Sequence, residues 1–550
     1  ECVTMSTIQP YIILSLLAFS LLIAISAQVD DDLIVQTTQV RAFLGIPYGK
    51  PPIGKLRFQS PQPAEGWRGV QHVTHYSNSC LQPVDTSLPG FYETEMWNPN
   101  TNQSEDCLYL NIWTPPISNK TACCRSSSPC FSLAPVLVWI YGGRFTSGTA
   151  SLDMYDGRFL SVHHTCILVG HRVGPLGFLS LPGSKVIRGN AGLQDQQLAL
   201  RWVANNIGAF GGDPSKVTLF GESAGSASVG LHLLSPGSRG LFKRAILQSG
   251  SPNAPWSVLT QLQAWDRSVA LGRLLGCALA PSAVLEQCLQ CLIVKQQFNI
   301  LPVPSLIALP FTTSIDGDFL TDMPEVLLRK GQFLKKEVLI GLNKDEGTYF
   351  LTGTPGFNIT SQSLISREDF LKGVELELPG WSEIMTEAAI LQYTNWTDEN
   401  IGAKNRDSLG QIVGDREFNC PVLEFTKRPA FNCSPTGQWP RSSTNPWPAW
   451  MGVMHGYEIE IVFGKPLNST LGYLEEEVVM SRRMMKYWAN MARTGNPSIE
   501  KEDWPLFTLD LQEYITLNSA PPMIQRKLAA NQCQLWTNFL PKLQNATGAM

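Results

Sequence analysis

Short apolar runs that stop at glycines or polar turns recur along the chain, with amphipathic stretches between them. Val136–Ile140 (VLVWI) runs into Gly142 and Gly143, and Ile167–Val169, Val217–Phe220, Ala245–Leu247 and Val338–Leu342 repeat the pattern. Runs of this length and boundary predict buried strands. Between the second and third, Asp195–Ala209 sets Leu198, Trp202 and Ile207 near helical spacing, as a crossover helix packed on a sheet requires. The alternation predicts a single α/β domain over 28–550: a large, mostly parallel central sheet flanked by helices. Functional groups are then expected in loops at the carboxyl ends of the strands. No Ser/Gly-rich linker, charge block or repeat divides the chain.

One apolar run has another character. Tyr11–Ile25 is uncharged, is followed by the small residues Ser26 and Ala27, and is shorter than the roughly 20 residues of a membrane span. It reads as the core of a signal peptide over 1–27, with Met5 as initiator and 1–4 as upstream read-through. A secreted, extracellular protein without a membrane span is expected. Seven Asn-x-Ser/Thr sequons, at Asn102, Asn119, Asn358, Asn395, Asn432, Asn468 and Asn545, agree with that compartment. So do 13 cysteines without paired metal-ligand spacing. Cys288 and Cys291 form a lone C-x-x-C with no His nearby and read as separate thiols; no metal or cofactor is implied.

Composition narrows the function. Lys plus Arg number 42 against 46 Asp plus Glu, a net charge of −4, which excludes a nucleic-acid binder held by a basic field. Hydrophobic residues at 43% against 16% charged exclude disorder as the main state.

The sharpest chemical signal is KVTLFGESAGSASVGLHLL. The strand Val217–Phe220 enters it and a small-residue helix leaves from Ala224. Gly221 and Gly225, lacking a Cβ, permit the strand-to-helix turn that exposes Ser223: a nucleophile elbow. The Ala224 N–H, at the start of the helix, is available to an oxyanion. A hydroxyl needs a base, and the histidines are His72, His75, His163, His164, His171, His232 and His455. In this fold type the acid and then the histidine follow the serine, which selects His455. His232, on the same helical run as Ser223, is expected to pack or meet solvent. The strand Val338–Leu342 delivers both Asp345 and Glu346 to the sheet edge, and residue type does not choose between them.

MWNPN (Met96–Asn100), SEDCLYLNIW (Ser104–Trp113), GESAG, KDEGT (Lys344–Thr348) and GVMHGYEIE (Gly452–Glu460) together resemble the cholinesterase branch of the type-B carboxylesterases, from about Ala42 to Gly548. Within the branch the likeness is greatest to the butyrylcholinesterases. The resemblance implies hydrolysis of choline esters, with Ser223 as nucleophile, His455 as general base then acid, and Glu346 as its orienting partner. It implies an oxyanion hole of the Gly143, Arg144 and Ala224 amides, and a choline site of Trp97 with Glu222, Tyr349 and Asp85, Trp97 binding the cation through its π face. It assigns the acyl pocket to Trp256, Ile307, Leu309, Phe350 and Phe418. Acetylcholinesterases carry two Phe where Ile307 and Leu309 stand, so a butyryl-sized acyl group is expected, while Tyr349 is more typical of acetylcholinesterases. Disulfides Cys80–Cys107, Cys277–Cys288 and Cys420–Cys533 are implied; the first closes a loop around Trp97 worth roughly 3 kcal/mol in the chain-entropy model. Cys2, Cys123, Cys124, Cys130, Cys166, Cys291 and Cys433 fall outside the pattern.

The chain departs from the family in places. The stretch before Ala42 is shorter than the family's N-terminal hairpin, Thr121–Leu133 is an insertion, and Gly170–His171 replaces Asn-Tyr. Three prolines in Arg428–Arg441 oppose the central strand expected there and put the placement of His455 in question. Arg144 replaces the third glycine of the family's Tyr-Gly-Gly-Gly-Phe, restricting the loop or projecting a cation beside Ser223. The chain stops at Met550 without the family's tetramerising helix, so a monomer or weak dimer is expected. Two other readings stand beside the choline esterase: a general carboxylesterase or lipase, and a non-enzymatic adhesion protein of the neuroligin kind.

Overall fold

The computed structural model describes residues 20–21, 40–115, 133–162, 164–280, 282–291, 306–307, 309–428, 431–437, 443–499 and 504–547. Asn119, the insertion up to residue 132 and most of the expected signal peptide lie outside them.

Among the described residues eleven strands form the main sheet: β1 (Ser20–Leu21), β2 (Val40–Pro47), β3 (Tyr109–Thr114), β4 (Ala134–Ile140), β5 (Thr165–Val169), β6 (Gly212–Glu222), β7 (Arg244–Gln248), β8 (Lys336–Leu342), β9 (Phe431–Gly437), β10 (Glu513–Thr516) and β11 (Met523–Arg526). Their order is β1-β2-β3-β5-β4-β6-β7-β8-β9-β10-β11. The seven strands from β5 to β10 in that order pair in parallel, and the flanking pairings are antiparallel. Parallel strands covered on both faces read as continuous apolar runs, which is why all five expected strands were visible. Val136–Ile140 is fully buried, as are Ile167–Val169, Val217 and Phe220. The predicted crossover is helix α1 (Ala191–Asn206), and β6 leads directly into helix α2 (Ala224–Leu234).

One expectation is corrected. Despite Pro435, Phe431–Gly437 is a strand, parallel to β8 along its whole length. A proline fits a strand where its nitrogen has no ladder bond to make. The outer neighbour β10 meets only Thr436 and Gly437, so beside Pro435 that edge has no strand partner. The three implied disulfides are present, Cys80–Cys107, Cys277–Cys288 and Cys420–Cys533. Cys288 is therefore bonded rather than a thiol. Cys166, inside β5, is a free buried cysteine.

Candidate active site

The carboxyl ends of β4, β6 and β8 converge, and each carries part of the site. At the end of β6, Ser223 adopts φ 57° and ψ −122° before α2 starts. Two glycines make that turn possible. A Cβ on Gly221 would lie 2.6 Å from the Ile140 carbonyl oxygen, and one on Gly225 only 2.0 Å from the same atom. The Ser223 amide donates to the Gln248 carbonyl at 2.9 Å, which ties the elbow to β7.

The loop after β8 holds both acids that the residue types left open, and geometry separates them. Asp345 clasps backbone: its Oδ2 accepts from the Val453 amide at 2.9 Å, and its own amide donates to the Val453 carbonyl at 3.0 Å. Glu346 reaches the ring, with Oε2 2.7 Å from His455 Nδ1, while its Oε1 accepts from the Asn343 amide at 2.6 Å. A carboxylate at Nδ1 assigns the proton there and leaves Nε2 as the basic nitrogen. Nε2 lies 3.2 Å from Glu222 Oε1, and no hydrogen bond joins it to Ser223 Oγ in this structure. Serine and carboxylate share one corner nonetheless: a Cβ on Gly142 would touch both Ser223 Cβ and Glu222 Oε2.

Burial raises the Glu222 carboxyl to about 8; Glu458 and Glu346 add to this and His455 opposes it. For His455, burial alone would favour the neutral ring, but Glu222 and Glu346 outweigh it and raise the imidazole to about 9. Glu458, buried and bonded to Gln248 at 3.0 Å and Asn343 at 2.7 Å, adds to the negative field. The sequence reading passed over Glu458, although it sits within the GVMHGYEIE motif. His232, as expected, packs: its nitrogens meet Ser238 and Gln196 at 2.7 and 3.0 Å.

Aromatic rings surround the histidine. Phe418 lies 4.5 Å and Phe350 5.3 Å from the His455 ring, Phe350 stacks on Phe418 at 5.3 Å, and Trp256 meets Phe418 at 5.8 Å. Ile307 and Leu309 are buried in the same core. Trp97 is half-buried; its Cζ2 and Glu222 Oε1 both lie within 4 Å of where a Gly456 Cβ would stand, next to His455. Asp85 is exposed and joined to Trp97's neighbour Asn98 by two hydrogen bonds, at 2.7 and 2.9 Å. Tyr349 packs edge-on against Phe350 and Trp447. Trp447 also bonds Tyr457, whose hydroxyl donates to Glu93 at 2.6 Å. Trp447, Tyr457 and Glu93 were not singled out from the sequence; the aromatic density of NPWPAWMGVMHGY was the signal.

The loop after β4 turns through three positive φ values in succession: Gly143 at 109°, Arg144 at 59° and Phe145 at 57°. A Cβ on Gly143 would lie 2.5 Å from the Ser147 carbonyl oxygen. The Gly143 and Arg144 amides make no hydrogen bond among the described residues, and Ala224 opens α2, where the first amides have no intrahelical partner. The Arg144 side chain does not pair with Glu222. It is exposed and lies over Phe350, 5.3 Å from the ring centroid.

Residues 31–536 match the carboxylesterase family. The chain is 51% identical over 521 residues to an acetylcholinesterase of Bungarus fasciatus, covering 92% of this chain and 84% of that protein. It is 45% identical over 583 residues to an acetylcholinesterase of Danio rerio, covering 95% and 90%. Among the described residues no helix is long and apolar enough to cross a membrane.

Proposed function

The chain belongs to the carboxylesterase family and is a carboxylic ester hydrolase, and from that premise we propose that it cleaves choline esters through an acyl-enzyme on Ser223. The observation that carries this reading is the bond of 2.7 Å between His455 Nδ1 and Glu346 Oε2, in the corner where the elbow presents Ser223. In the reaction Ser223 Oγ turns onto His455 Nε2, attacks the ester carbonyl and gives up its proton to the imidazole. His455 returns that proton to the departing choline oxygen, and a water molecule then releases the acid by the same steps. The amides of Gly143, Arg144 and Ala224 receive the developing oxyanion. Trp97, Glu222, Tyr349 and Asp85 receive the quaternary ammonium, supported by Trp97 and Glu222 flanking Gly456.

The acyl pocket of Trp256, Ile307, Leu309, Phe350 and Phe418 fits a butyryl-sized group, because two aliphatic side chains occupy less of it than two aromatics would. Secretion is supported by three disulfides and by exposed sequon asparagines at 102, 358, 468 and 545. The test is covalent: an organophosphate should label Ser223, located by peptide mass spectrometry, and Ser223→Ala should lose both labelling and turnover. Undiminished hydrolysis by a folded Ser223→Ala protein refutes the assignment. A general carboxylesterase would treat a choline ester and its uncharged isostere alike.

A further inference from the structure

Arg144 is the one charged side chain on the loop that follows β4, and its surroundings differ from those of the cation-attracting groups. It projects over Phe350, the ring that stacks on Phe418 and faces His455. Trp97 and Glu222 meet instead around Gly456. Arg144 forms no ion pair among the described residues. The residue is exposed, and its guanidinium makes no side-chain hydrogen bond among the described residues while it lies over Phe350. Asp85 and Glu93, which together with Arg144 act electrostatically on Tyr349, engage Ser87 and Tyr457.

Resting on the esterase reading above, we propose that Arg144 is a specificity-determining residue for the acyl half of the substrate, favouring esters whose acyl chain ends in a carboxylate. Such an acyl group lays its methylenes along Phe350 and Phe418 and presents its terminal anion to the guanidinium, a planar fork of donors suited to a carboxylate. The alcohol half stays cationic. The preferred substrate class is therefore a zwitterionic ester, choline joined to one end of a short dicarboxylic acid, as distinct from an acylcholine with an apolar tail.

The experiment compares two choline esters of equal length, one ending in a carboxylate and one in the isosteric primary amide, on the wild type, Arg144→Gln and Arg144→Lys. The wild type should favour the carboxylate, and Arg144→Gln should lower the ratio of kcat/KM values by about five- to tenfold, as expected for a charge-assisted hydrogen bond. The loss should lie in KM, Arg144→Lys should retain most of the preference, and added salt should weaken it. Binding of the corresponding non-hydrolysable choline ethers, followed by calorimetry, reads the same preference without turnover. An unchanged ratio in Arg144→Gln in both measurements overturns the proposal. Loss of hydrolysis of neither ester on Ser223→Ala would instead sink the esterase mechanism, leaving the binding ratio to judge Arg144.

Discussion

Burial raises the Glu222 carboxyl to about 8, so it is above that pH that replacing Glu222 by Gln removes a negative charge 3.2 Å from His455 Nε2, with little change in shape. Both groups are buried, so solvent screens the pair weakly. An opposite charge within about 4 to 6 Å shifts a pKa by about 1 to 3 units, or about 1.4 to 4 kcal/mol. The sign follows from the role of the ring. Carboxylates raise His455 by favouring its protonated form, whereas the proposed attack of Ser223 needs the neutral form, so activity should rise with pH through the imidazole pKa. Removing Glu222 takes away one of the three carboxylates that raise the ring and leaves Glu346 and Glu458 in place. The acid limb of kcat/KM for an uncharged ester should therefore move to lower pH by at least about one unit. Choline esters should also lose affinity, because the same carboxylate faces Trp97 across Gly456. The assay is a pH series from 5 to 10 with one neutral and one choline ester at constant ionic strength. An acid limb that stays in place would show that Glu222 carries no charge toward His455, and the electrostatic account of the site would fall.

Trp97→Ala should cost choline esters about 1 to 2 kcal/mol more than neutral isosteres, read as a ratio of kcat/KM values; equal losses would make Trp97 a packing residue. Joint replacement of Cys80 and Cys107 by Ser should destabilise the fold by about 3 kcal/mol in chemical denaturation, since the loop spans 27 positions, and should raise KM for choline esters more than for neutral ones. Arg144→Gly should raise kcat/KM for choline esters of apolar acyl groups severalfold and neutral-ester turnover less, because it removes a cation beside the acyl pocket; an equal gain for both would trace the effect to loop geometry.

Parallel strands were legible because both their faces are apolar, and the elbow because only glycine fits beside the Ile140 carbonyl. His455 followed from chain order. Asp345 and Glu346 could not be told apart by type, since the difference is which one the Val453 backbone captures. Pro435 was misleading for a related reason: a proline counts against a strand only where a partner waits for its N–H, and the span of β10 is a tertiary fact. The bonds from Trp447 to Tyr457 and Glu93 join positions far apart in the chain, which no local pattern encodes.

Arg144 shows how far a substitution at a glycine position need disturb a site. A left-handed conformation costs a residue with a side chain about 1 to 2 kcal/mol, yet Arg144 adopts φ 59°. The loop is fixed by its neighbours: a Cβ on Gly143 would strike Ser147, and one on Gly148 would lie 2.5 Å from the Gly142 carbonyl oxygen. The Thr146 and Ser147 amides both donate to the Gly143 carbonyl, at 3.0 and 2.9 Å. With backbone direction set on both sides, the residue at 144 bears the strain of the left-handed conformation. What the arginine changes is the field, since its guanidinium opposes the effect that Asp85, Glu222 and Glu93 exert on Tyr349. In the proposed mechanism the chemistry of ester cleavage and the charge selectivity of the substrate are therefore separable in this loop, the first assigned to its amides and the second to one side chain.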